Sequence, residues 1–571
     1  MGVFPYPWRA IIVSSLVTSY VLVSYQSHWW KLHYLSTFVS GFLLQTLGWA
    51  FWIVILWPKV FSPLRSLPEP PGGSFWNGQW ARIAAEPSGI PMREWISTVP
   101  NDGLMRYTGI LNAERVLVTG PKALAEVLVT KNYHFQKPQL VRHSLSRILG
   151  VGLLLAEGDE HKIQRKNLMP AFAFRHTKDL YPVFWAKTRE VVQAMTQHIL
   201  AAADAPAHTD GDQSRKSAVI EVGNWASRVT LDIIGVAGLG HDFGAIADPH
   251  SELNETYRHL FQPSKQALIM ARLSQFLPEW LLVRLPIKRN EDINAASRYI
   301  RDVCRGLIRE KKEKMEKKEA AVEERHDILS VAFESGGFSD EELVDQLMTF
   351  LAAGHETTAS SMTWAIYVLS RFPQVQDRLR QEVREKLPSI DSGVGITSLD
   401  IDHMPYLNAV CNEVLRYFSP VPLTLREAAQ DTDIVGQKVK KGTRVIFCAW
   451  ATNFDKSLWG PDAHEFNPDR WLPSAGAAGT GTGEDNNKRA ASGGASSNYA
   501  FMTFLHGPRS CIGQAFAKAE FACLLAGWVG RFAFELKNKE EMEEKNVSIK
   551  GGITARPAKG MYVHATVVDG W

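Results

Sequence analysis

The chain has 571 residues, of which 45% are hydrophobic, so it is long enough to bury a large core. Its 63 Lys and Arg nearly balance its 60 Asp and Glu, for a net charge of +3, which excludes the strongly basic surface typical of nucleic-acid-binding proteins. The five cysteines are widely scattered without a CxxC pair, which argues against a disulfide framework and favours a reduced, cytosolic body.

The first 60 residues are more apolar than the rest of the chain. Leu35–Trp57 carries no charged side chain, and as a helix it would span about 35 Å, enough to cross a bilayer core. A shorter apolar run, Ala10–Tyr25, precedes it and could form a second span. A cleaved signal sequence and a buried core helix are the alternatives, but the doubled apolar region has no clear cleavage site. We therefore predict a membrane anchor over residues 1–60, with one or two transmembrane helices.

The segment after the anchor, residues 61–75, contains the sequence LPEPPGGS, which cannot continue a helix. We predict a proline-rich hinge here and a globular catalytic domain over residues 76–571. Short β-like runs at Arg106–Ile110 and Val116–Thr119 give way to long helical patterns. The predicted fold class is therefore mainly α with small β-sheets.

Three helices are predicted with clear boundaries. The longest begins at the capping box Ser339–Glu342 and continues without proline to Phe372. A second covers Tyr406–Phe418, and a third follows Cys511, where apolar residues recur at helical spacing. Between these two, residues 474–498 are rich in Gly, Ala, Ser and Asn, so we predict a flexible surface insert that buries little apolar area.

Cys511 lies in the sequence FLHGPRSCIG, where Gly507 and Gly513 permit tight turns. It could be a small buried hydrophobe, half of a disulfide or a metal ligand. A zinc site would need three or four Cys and His ligands, and only His506 is near. Arg509 supplies a cation two residues away, and a helix beginning just after Cys511 would direct the positive end of its dipole at the sulfur. These surroundings favour a thiolate.

The spacing Phe504-x-x-Gly507-x-Arg509-x-Cys511-x-Gly513 resembles, in every fixed position, the haem-binding signature of the cytochrome P-450 family. The resemblance implies the cytochrome P-450 fold, with haem b as the cofactor and the Cys511 thiolate as the axial ligand of its iron. It also assigns Phe504 and Arg509 to the haem pocket.

The long helix contains Ala353-Gly354-His355-Glu356-Thr357-Thr358, which is similar to the oxygen-activation segment of the same family. By residue type alone, the glycine and the β-branched threonines lower helix propensity, and the segment could also be a surface turn of an ordinary helix. The resemblance implies that Gly354 opens a groove for O₂, and that Glu356 and Thr357 deliver protons to the bound oxygen.

Glu413 and Arg416 lie three residues apart, on one helix face, an arrangement that many exposed helices have. Downstream, FNPDRW (Phe466–Trp471) is similar to the family segment whose arginine, here Arg470, completes a buried Glu-Arg-Arg cluster. The resemblance therefore implies a structural role for these three residues.

The two propionates of a haem are negatively charged and pair with basic side chains. The resemblance implies that Arg426 and Arg165 contact them, in addition to Arg509. In the family motif that contains Arg165, a tryptophan precedes the arginine by four residues. Here His161 takes that position, and it either contacts a propionate or is a solvated histidine.

The resemblance implies a haem-thiolate monooxygenase that inserts one atom of O₂ into a lipophilic small molecule. Electrons would come from NADPH through a separate NADPH-cytochrome P-450 reductase, with cytochrome b5 as an optional second donor, because no dinucleotide or flavin fingerprint is visible. The anchor predicts the endoplasmic reticulum membrane, with the catalytic domain in the cytosol. Leu260–Leu285 is apolar enough to line a substrate entrance, or else to pack in the core.

The doubled N-terminal anchor, the insert and the overall character of the sequence resemble those of fungal enzymes of specialised-metabolite biosynthesis. Alternatives within the family are a xenobiotic or fatty-acid hydroxylase, and an isomerase or dehydratase that acts on a peroxide without a reductase. A non-catalytic haem sensor is the alternative from another class. Neither the isomerase nor the sensor would need the pair Glu356 and Thr357.

Overall fold

The computed structural model describes residues 6–25, 33–203, 216–261, 266, 269–270, 273, 279–316, 327–473, 490–550 and 553–571. These residues are mostly helical with small sheets, which confirms the predicted fold class. They divide into two compact units. The first comprises Met1–Glu86, Glu94–Pro138 and Thr424–Cys448, and the second comprises Pro87–Arg93, Gln139–Leu423 and Ala449–Trp571.

The α-helices of the described residues are α1 Trp8–Ser24, α2 Tyr34–Phe51, α3 Trp80–Ala85, α4 Ile90–Thr98, α5 Pro121–Ala125, α6 Gln139–Leu149, α7 Gly158–Leu168, α8 Phe174–Asp179, α9 Tyr181–Ala203, α10 Val222–Ile233, α11 Glu252–Leu260, α12 Glu279–Arg284, α13 Lys288–Glu316, α14 Ile328–Glu334, α15 Asp340–Arg371, α16 Pro373–Lys386, α17 Ser398–Asp402, α18 Pro405–Tyr417, α19 Ala449–Thr452, α20 Lys456–Trp459 and α21 Gln514–Arg531. The strands are β1 Leu104–Thr108, β2 Glu114–Val118, β3 Phe135–Gln136, β4 Ser217–Glu221, β5 Leu423–Ala428, β6 Thr432–Ile434, β7 Gln437–Val439, β8 Arg444–Cys448, β9 Phe532–Leu536, β10 Ile549–Lys550, β11 Arg556–Pro557 and β12 Tyr562–Val567.

In the first unit, α1 and α2 pack against each other as an antiparallel pair. Tyr6 and Thr46 share a hydrogen bond of 2.7 Å between their hydroxyls near one end of the pair. After α2 the chain continues in π-helical turns to Phe61. Pro58 lies within these turns and has no N–H to donate. The combined helix Tyr34–Phe61 has 28 residues and a mean hydropathy of 1.8, so it is long and apolar enough to cross a membrane, whereas α1 is shorter, at 17 residues.

The end of the apolar helix is bonded to the sheet of the same unit, whose strand order is β1-β2-β8-β5-β3. Trp57 Nε1 donates to Glu114 Oε2 at 3.0 Å, and Arg106 Nη2 donates to the Pro58 carbonyl at 2.5 Å. Within the segment 61–75, the carbonyls of Pro70 and Pro71 both accept from Gln79 Nε2 at 2.9 Å. The proline-rich segment is therefore held by specific contacts.

In the second unit, α15 is a 32-residue helix and most of its residues are buried. Its capping box forms as predicted, because Ser339 Oγ accepts from the Glu342 N–H while the Glu342 carboxylate accepts from the Ser339 N–H at 2.7 Å. The other two predicted helices appear as α18 and α21. Among the described residues of this unit, β4, β12 and β9 form the larger sheet, in the order β4-β12-β9.

Two predictions fall partly outside the described residues. Of the insert 474–498, residues 490–498 are described, and they pack specifically: Ala495 lies against the buried cluster that contains Trp459, and Ser496 N donates to the Leu458 carbonyl at 2.8 Å. The described end of this segment therefore packs on the buried cluster, and the flexible insert stays a prediction. The entrance segment, Leu260–Leu285, lies largely outside the described residues.

Candidate functional site

The loop that carries Cys511 is closed by its own backbone. The Cys511 N–H donates to the Phe504 carbonyl at 2.9 Å, which brings together the first and last residues of the segment 504–511. Gly507 adopts a φ of +76°, in the left-handed region that glycine tolerates best, and Leu505 adopts +56°. α21 begins at Gln514, so the predicted helix directly after the cysteine is confirmed.

Cys511 differs from the other four cysteines, because its side chain is exposed and theirs are buried. None of the five, which all lie in the described part of the chain, forms a disulfide. The protein that surrounds Cys511 raises the pKa of its thiol, while the Gly513 backbone N–H and the Arg165 guanidinium act to lower it. A thiol that is both exposed and surrounded by protein faces an internal space.

Burial works against the thiolate that the sequence predicts at Cys511, so the ionisation of this thiol stays a prediction. Burial raises the pKa of the Cys511 thiol by more than the Gly513 N–H and the Arg165 guanidinium lower it. A bound metal ion would supply the missing positive charge, because metal coordination deprotonates a thiol.

The cation beside the thiol is Arg165 of α7. Its Nη1 donates to the Ser510 carbonyl at 2.8 Å, and its Nη2 donates to Ser510 Oγ at 3.3 Å. Arg509, the cation suggested by the sequence, instead forms an ion pair with Glu157, and each of these side chains is 5% exposed. Sequence reasoning missed Glu157, because its pairing depends on how the chain before α7 packs on the loop.

The other two residues predicted to meet propionates are buried. His161 on α7 is 3% exposed, so its alternative reading as a solvated histidine is wrong. Arg426 lies on β5, in the first unit, where its Nη1 donates to Thr424 Oγ1 at 3.2 Å and to the Leu425 carbonyl at 2.9 Å. Contact of either residue with a propionate stays a prediction.

One face of α15 is open in the middle of an otherwise buried stretch. Ala353 is exposed, and Gly354 and Thr357 are half-buried, although the helix on both sides is buried. The Thr357 hydroxyl donates to the Ala353 carbonyl at 2.8 Å. A Cβ on Gly354 would lie 3.0 Å from two side-chain atoms of Ile234, so the close approach of Ile234 also favours glycine at this position.

A face of α15 that adjoins the open one is covered by the segment 554–556. Glu356 is 2% exposed, and its Oε1 contacts the Arg556 guanidinium and accepts from Thr554 Oγ1 at 3.0 Å. One and two turns further along the same face, Ser360 Oγ and Trp364 Nε1 donate to the Ala555 carbonyl at 2.8 and 2.9 Å. Glu356 and Thr357 therefore point to different sides of the helix.

The cysteine loop and α15 are neighbours in the second unit. The ring of Phe172 lies 3.6 Å from where a Cβ of Gly513 would be, and 5.5 Å from the ring of Phe350, one turn before Ala353. Burial raises the pKa of Glu520 on α21 well above its ordinary value, beside Thr358 on α15. Sequence reasoning did not single out Phe172 or Glu520.

Glu413, Arg416 and Arg470 form a buried ionic cluster. The Glu413 carboxylate accepts from Arg416 at 2.7 and 2.8 Å and from Arg470 Nε at 3.1 Å. Trp471 Nε1 adds a fourth side-chain donor at 2.9 Å. Glu413 and Arg416 are both 0% exposed. The three side chains therefore meet in one buried cluster, and their structural role stays a prediction.

Asn453 links this cluster to the cysteine loop. Its Nδ2 donates to the Arg416 carbonyl at 2.9 Å and to Thr503 Oγ1 at 3.0 Å. Its Oδ1 accepts from the Met502 N–H at 2.8 Å. Asn453 is fully buried, and nothing in its local sequence distinguishes it from an ordinary loop asparagine.

Comparison with known proteins agrees with these features. The cytochrome P450 family model matches residues 105–563. The chain is 47% identical over 526 residues to cytochrome P450 monooxygenase sphH of Aspergillus fumigatus, with 91% of each chain covered. It is 44% identical over 564 residues to cytochrome P450 monooxygenase ALT8 of Alternaria alternata, with 92% of this chain and 93% of the relative covered. It is 45% identical over 542 residues to cytochrome P450 monooxygenase FUM15 of Gibberella moniliformis, with 90% of each covered.

Proposed function

Because this chain belongs to the cytochrome P450 family and is a monooxygenase like its relatives, we propose that it inserts one oxygen atom into a lipophilic small molecule of fungal specialised metabolism. The observation that carries the proposal is the free Cys511 thiol, which a closed loop holds toward an internal space. The fungal origin of the relatives supports the metabolic setting. Comparing the metabolites of cells with and without the gene tests the substrate class.

The residues present fit the haem that the family implies. Cys511 offers the one exposed thiol, and the open face of α15 offers a second wall lined by small side chains. We assign Cys511 as the iron ligand, Phe504 to the pocket wall, and Arg165, His161, Arg426 and Arg509 to the propionates. When bound, haem would supply the binding and reduction of O₂.

We assign proton delivery to Thr357 and Glu356, with Gly354 leaving room beside them. The Thr357 hydroxyl lies on the open face of α15 and is held by the Ala353 carbonyl, so it can donate into the internal space after a small rotation. Neither an isomerase nor a sensor would need this pair.

Replacing Thr357 with alanine is expected to lower the product formed per NADPH consumed several-fold, with hydrogen peroxide accounting for the difference. The hydroxyl that passes a proton would be lost, while the helix would remain intact. Product, NADPH and peroxide are measured together in the reconstituted enzyme.

The matched control for this experiment is Ser361→Ala. Ser361 Oγ donates to the Thr357 carbonyl at 3.1 Å, so this change removes the same kind of side-chain-to-helix bond one turn further along. We expect the control to keep the normal yield. Full yield from Thr357→Ala would refute the assigned proton delivery.

We propose that the NADPH-cytochrome P450 reductase docks on the outer face of α7 and the chain that follows it, with cytochrome b5 as a second donor. Exposed apolar side chains there are Ile163, Met169 and Phe174, which are 57% to 66% exposed. Exposed Lys162, Lys166 and Arg175 surround them. Arg165 on the same helix reaches the cysteine loop, so this face lies near the thiol. Basic and apolar groups together suit an acidic partner.

Charge reversal on this face, Lys166→Glu with Arg175→Glu, is expected to slow reductase-supported turnover about tenfold at low salt, because steering of the partner is lost. Turnover driven by added hydrogen peroxide needs no reductase and should be unchanged. Lys539→Glu, on a different exposed element, serves as the control. An equal loss in both assays would show damage to the fold rather than to docking.

We propose that the chain is anchored in the endoplasmic reticulum membrane by residues 1–60, with residues 76–571 as a cytosolic catalytic domain beyond the segment 61–75. The helix Tyr34–Phe61 supports this arrangement by its length and hydropathy. Lys59 and Arg65 at its C-terminal end fit the cytosolic side, where basic residues concentrate.

A further inference from the structure

A cleft of about 550 Å³ lies in the first unit, where the apolar helix Tyr34–Phe61 ends against the sheet. Its walls come from the end of that helix, the proline-rich segment, the turn that follows it and β1. The charged side chains that line it are Lys59, Arg65, Glu69 and Arg106. The site around Cys511 belongs to the second unit and leaves this cleft without a role.

The turn that forms one wall of the cleft is fixed against the end of the helix. Ser74 and Gly78 exchange two backbone hydrogen bonds of 2.9 Å, which close the turn. Asn112 Nδ2 donates to the Phe75 carbonyl in the turn and to the Val54 carbonyl in the helix, at 2.9 Å each. One side chain therefore joins the turn to the helix, and the cleft between them is a preformed part of the fold.

The side chains that line the cleft include three cations and one carboxylate, so they carry a net positive charge. Arg106 is balanced by carboxylates, because it contacts Glu69 and its Nε donates to Glu114 Oε1 at 2.8 Å. Arg106 and Glu114 are 6% and 4% exposed. Lys59 and Arg65 have no carboxylate partner among the residues that the structure describes, and both are exposed. An anion in the cleft would therefore meet two accessible positive charges.

Neighbouring groups hold these two cations at the cleft. The Lys59 ammonium lies 3.6 Å from the centre of the Phe75 ring, a distance at which the ring face attracts a cation. The Arg65 guanidinium donates to the Val60 carbonyl at the end of the helix. Neither contact neutralises the charge, so both side chains can still pair with an anion.

Exposed aromatic rings accompany the two cations. Phe61, Phe75 and Trp76 are 54%, 54% and 57% exposed. Phe75 lines the cleft, Trp76 follows it in the turn, and Phe61 is the last residue of the apolar helix. Aromatic and basic side chains at the end of an apolar helix are typical of the zone where lipid tails meet headgroups. With the helix in a bilayer, the cleft lies at the depth of the headgroups.

We propose that this cleft binds the phosphate headgroup of an anionic phospholipid, and that Lys59 and Arg65 contact the phosphate. A lipid suits the cleft better than a free anion does, because exposed rings beside the cations can pack on acyl chains. The bound lipid would hold the first unit on the membrane at a point beyond the helix itself. This inference rests on the membrane anchor proposed above and adds a specific lipid to it.

The first test uses the full chain in a neutral detergent and counts its bound lipids by native mass spectrometry. We expect the chain to retain phosphatidylserine in preference to phosphatidylcholine. Lys59→Gln with Arg65→Gln should lower this preference about tenfold, because each basic residue near an anionic headgroup strengthens binding several-fold. Lys59→Arg with Arg65→Lys keeps both charges and should keep the preference. Equal retention of the two lipids by the unchanged chain would overturn the site.

The matched control is Lys122→Gln with Lys539→Gln, which removes two charges from exposed positions outside the cleft. It should bind phosphatidylserine as the unchanged chain does. An equal loss in this control would show that net charge alone attracts the lipid, and would overturn the site. Inorganic phosphate is the competitor that separates a lipid from a free anion. An excess of it should leave the phosphatidylserine bound, and full displacement would overturn the lipid as the occupant.

The second test locates the lipid in a bilayer. The full chain is reconstituted in nanodiscs that contain phosphatidylserine with a photoreactive headgroup, and cross-linked peptides are identified after digestion with trypsin. We expect the label in Ser66–Arg82, the tryptic peptide that carries the proline-rich wall and the turn. Label in other peptides and none in this one would overturn the site.

Alkaline extraction of microsomes separates this inference from the anchor on which it rests. If the chain resists extraction while Lys59→Gln with Arg65→Gln binds phosphatidylserine normally, the headgroup site is wrong and the anchor stands. If alkali releases the unchanged chain, the anchor fails, and the placement of the cleft at the bilayer surface fails with it.

Discussion

Replacing Cys511 with serine is expected to reduce monooxygenase activity to background and to abolish the long-wavelength carbon monoxide band of thiolate-ligated haem iron. A hydroxyl is much less acidic than a thiol, and burial already raises the pKa of the Cys511 thiol. A serine at this position would therefore not form the anion that binds the iron. The closed loop and the start of α21 do not depend on the side chain, so the fold should survive. The measurement is the carbon monoxide difference spectrum of the reduced protein.

Cys304→Ala is the matched control for this substitution. Cys304 is buried in α13, and burial raises the pKa of its thiol to about 12, so it is inert at neutral pH. We expect this variant to keep both the band and the activity. A Cys511→Ser protein that bound haem with the thiolate band would refute the assignment of the iron ligand.

Replacing Glu413 with glutamine is expected to lower the free energy of unfolding by about 3 to 5 kcal/mol, the usual cost of leaving a buried ion without its partner. Arg416 would keep its backbone acceptors, at 2.7 to 2.8 Å from Asn453, Ala463 and Glu465, but no carboxylate would balance its charge. Because Asn453 joins this cluster to the cysteine loop, haem retention should fall as well. Denaturant unfolding and the haem content of the purified protein measure the two effects.

Asp469→Asn gives the comparison for an exposed ion pair. Asp469 pairs with Arg378 at 2.7 Å, and both side chains are at least half exposed. Such pairs contribute about 0 to 1 kcal/mol, so we expect little change. Similar losses in Glu413→Gln and Asp469→Asn would contradict the structural role of the buried cluster.

Features that depend on residues close together in the chain could be predicted from residue type and spacing. The left-handed turn at Gly507 follows from that glycine, and the start of α15 follows from the capping box at Ser339. The three-residue spacing of Glu413 and Arg416 already placed both side chains on one helix face. The apolar length of the N-terminal segment likewise predicted one helix able to cross a membrane.

Contacts between residues far apart in the chain became known from the folded structure. It placed Arg165 rather than Arg509 beside the thiol, paired Arg509 with Glu157, and brought Ile234 against Gly354. It also brought Arg556, 200 residues beyond Glu356, into contact with that carboxylate. These contacts could not be predicted because packing sets which groups surround a side chain and how much solvent it loses, and a local pattern of residue types contains neither.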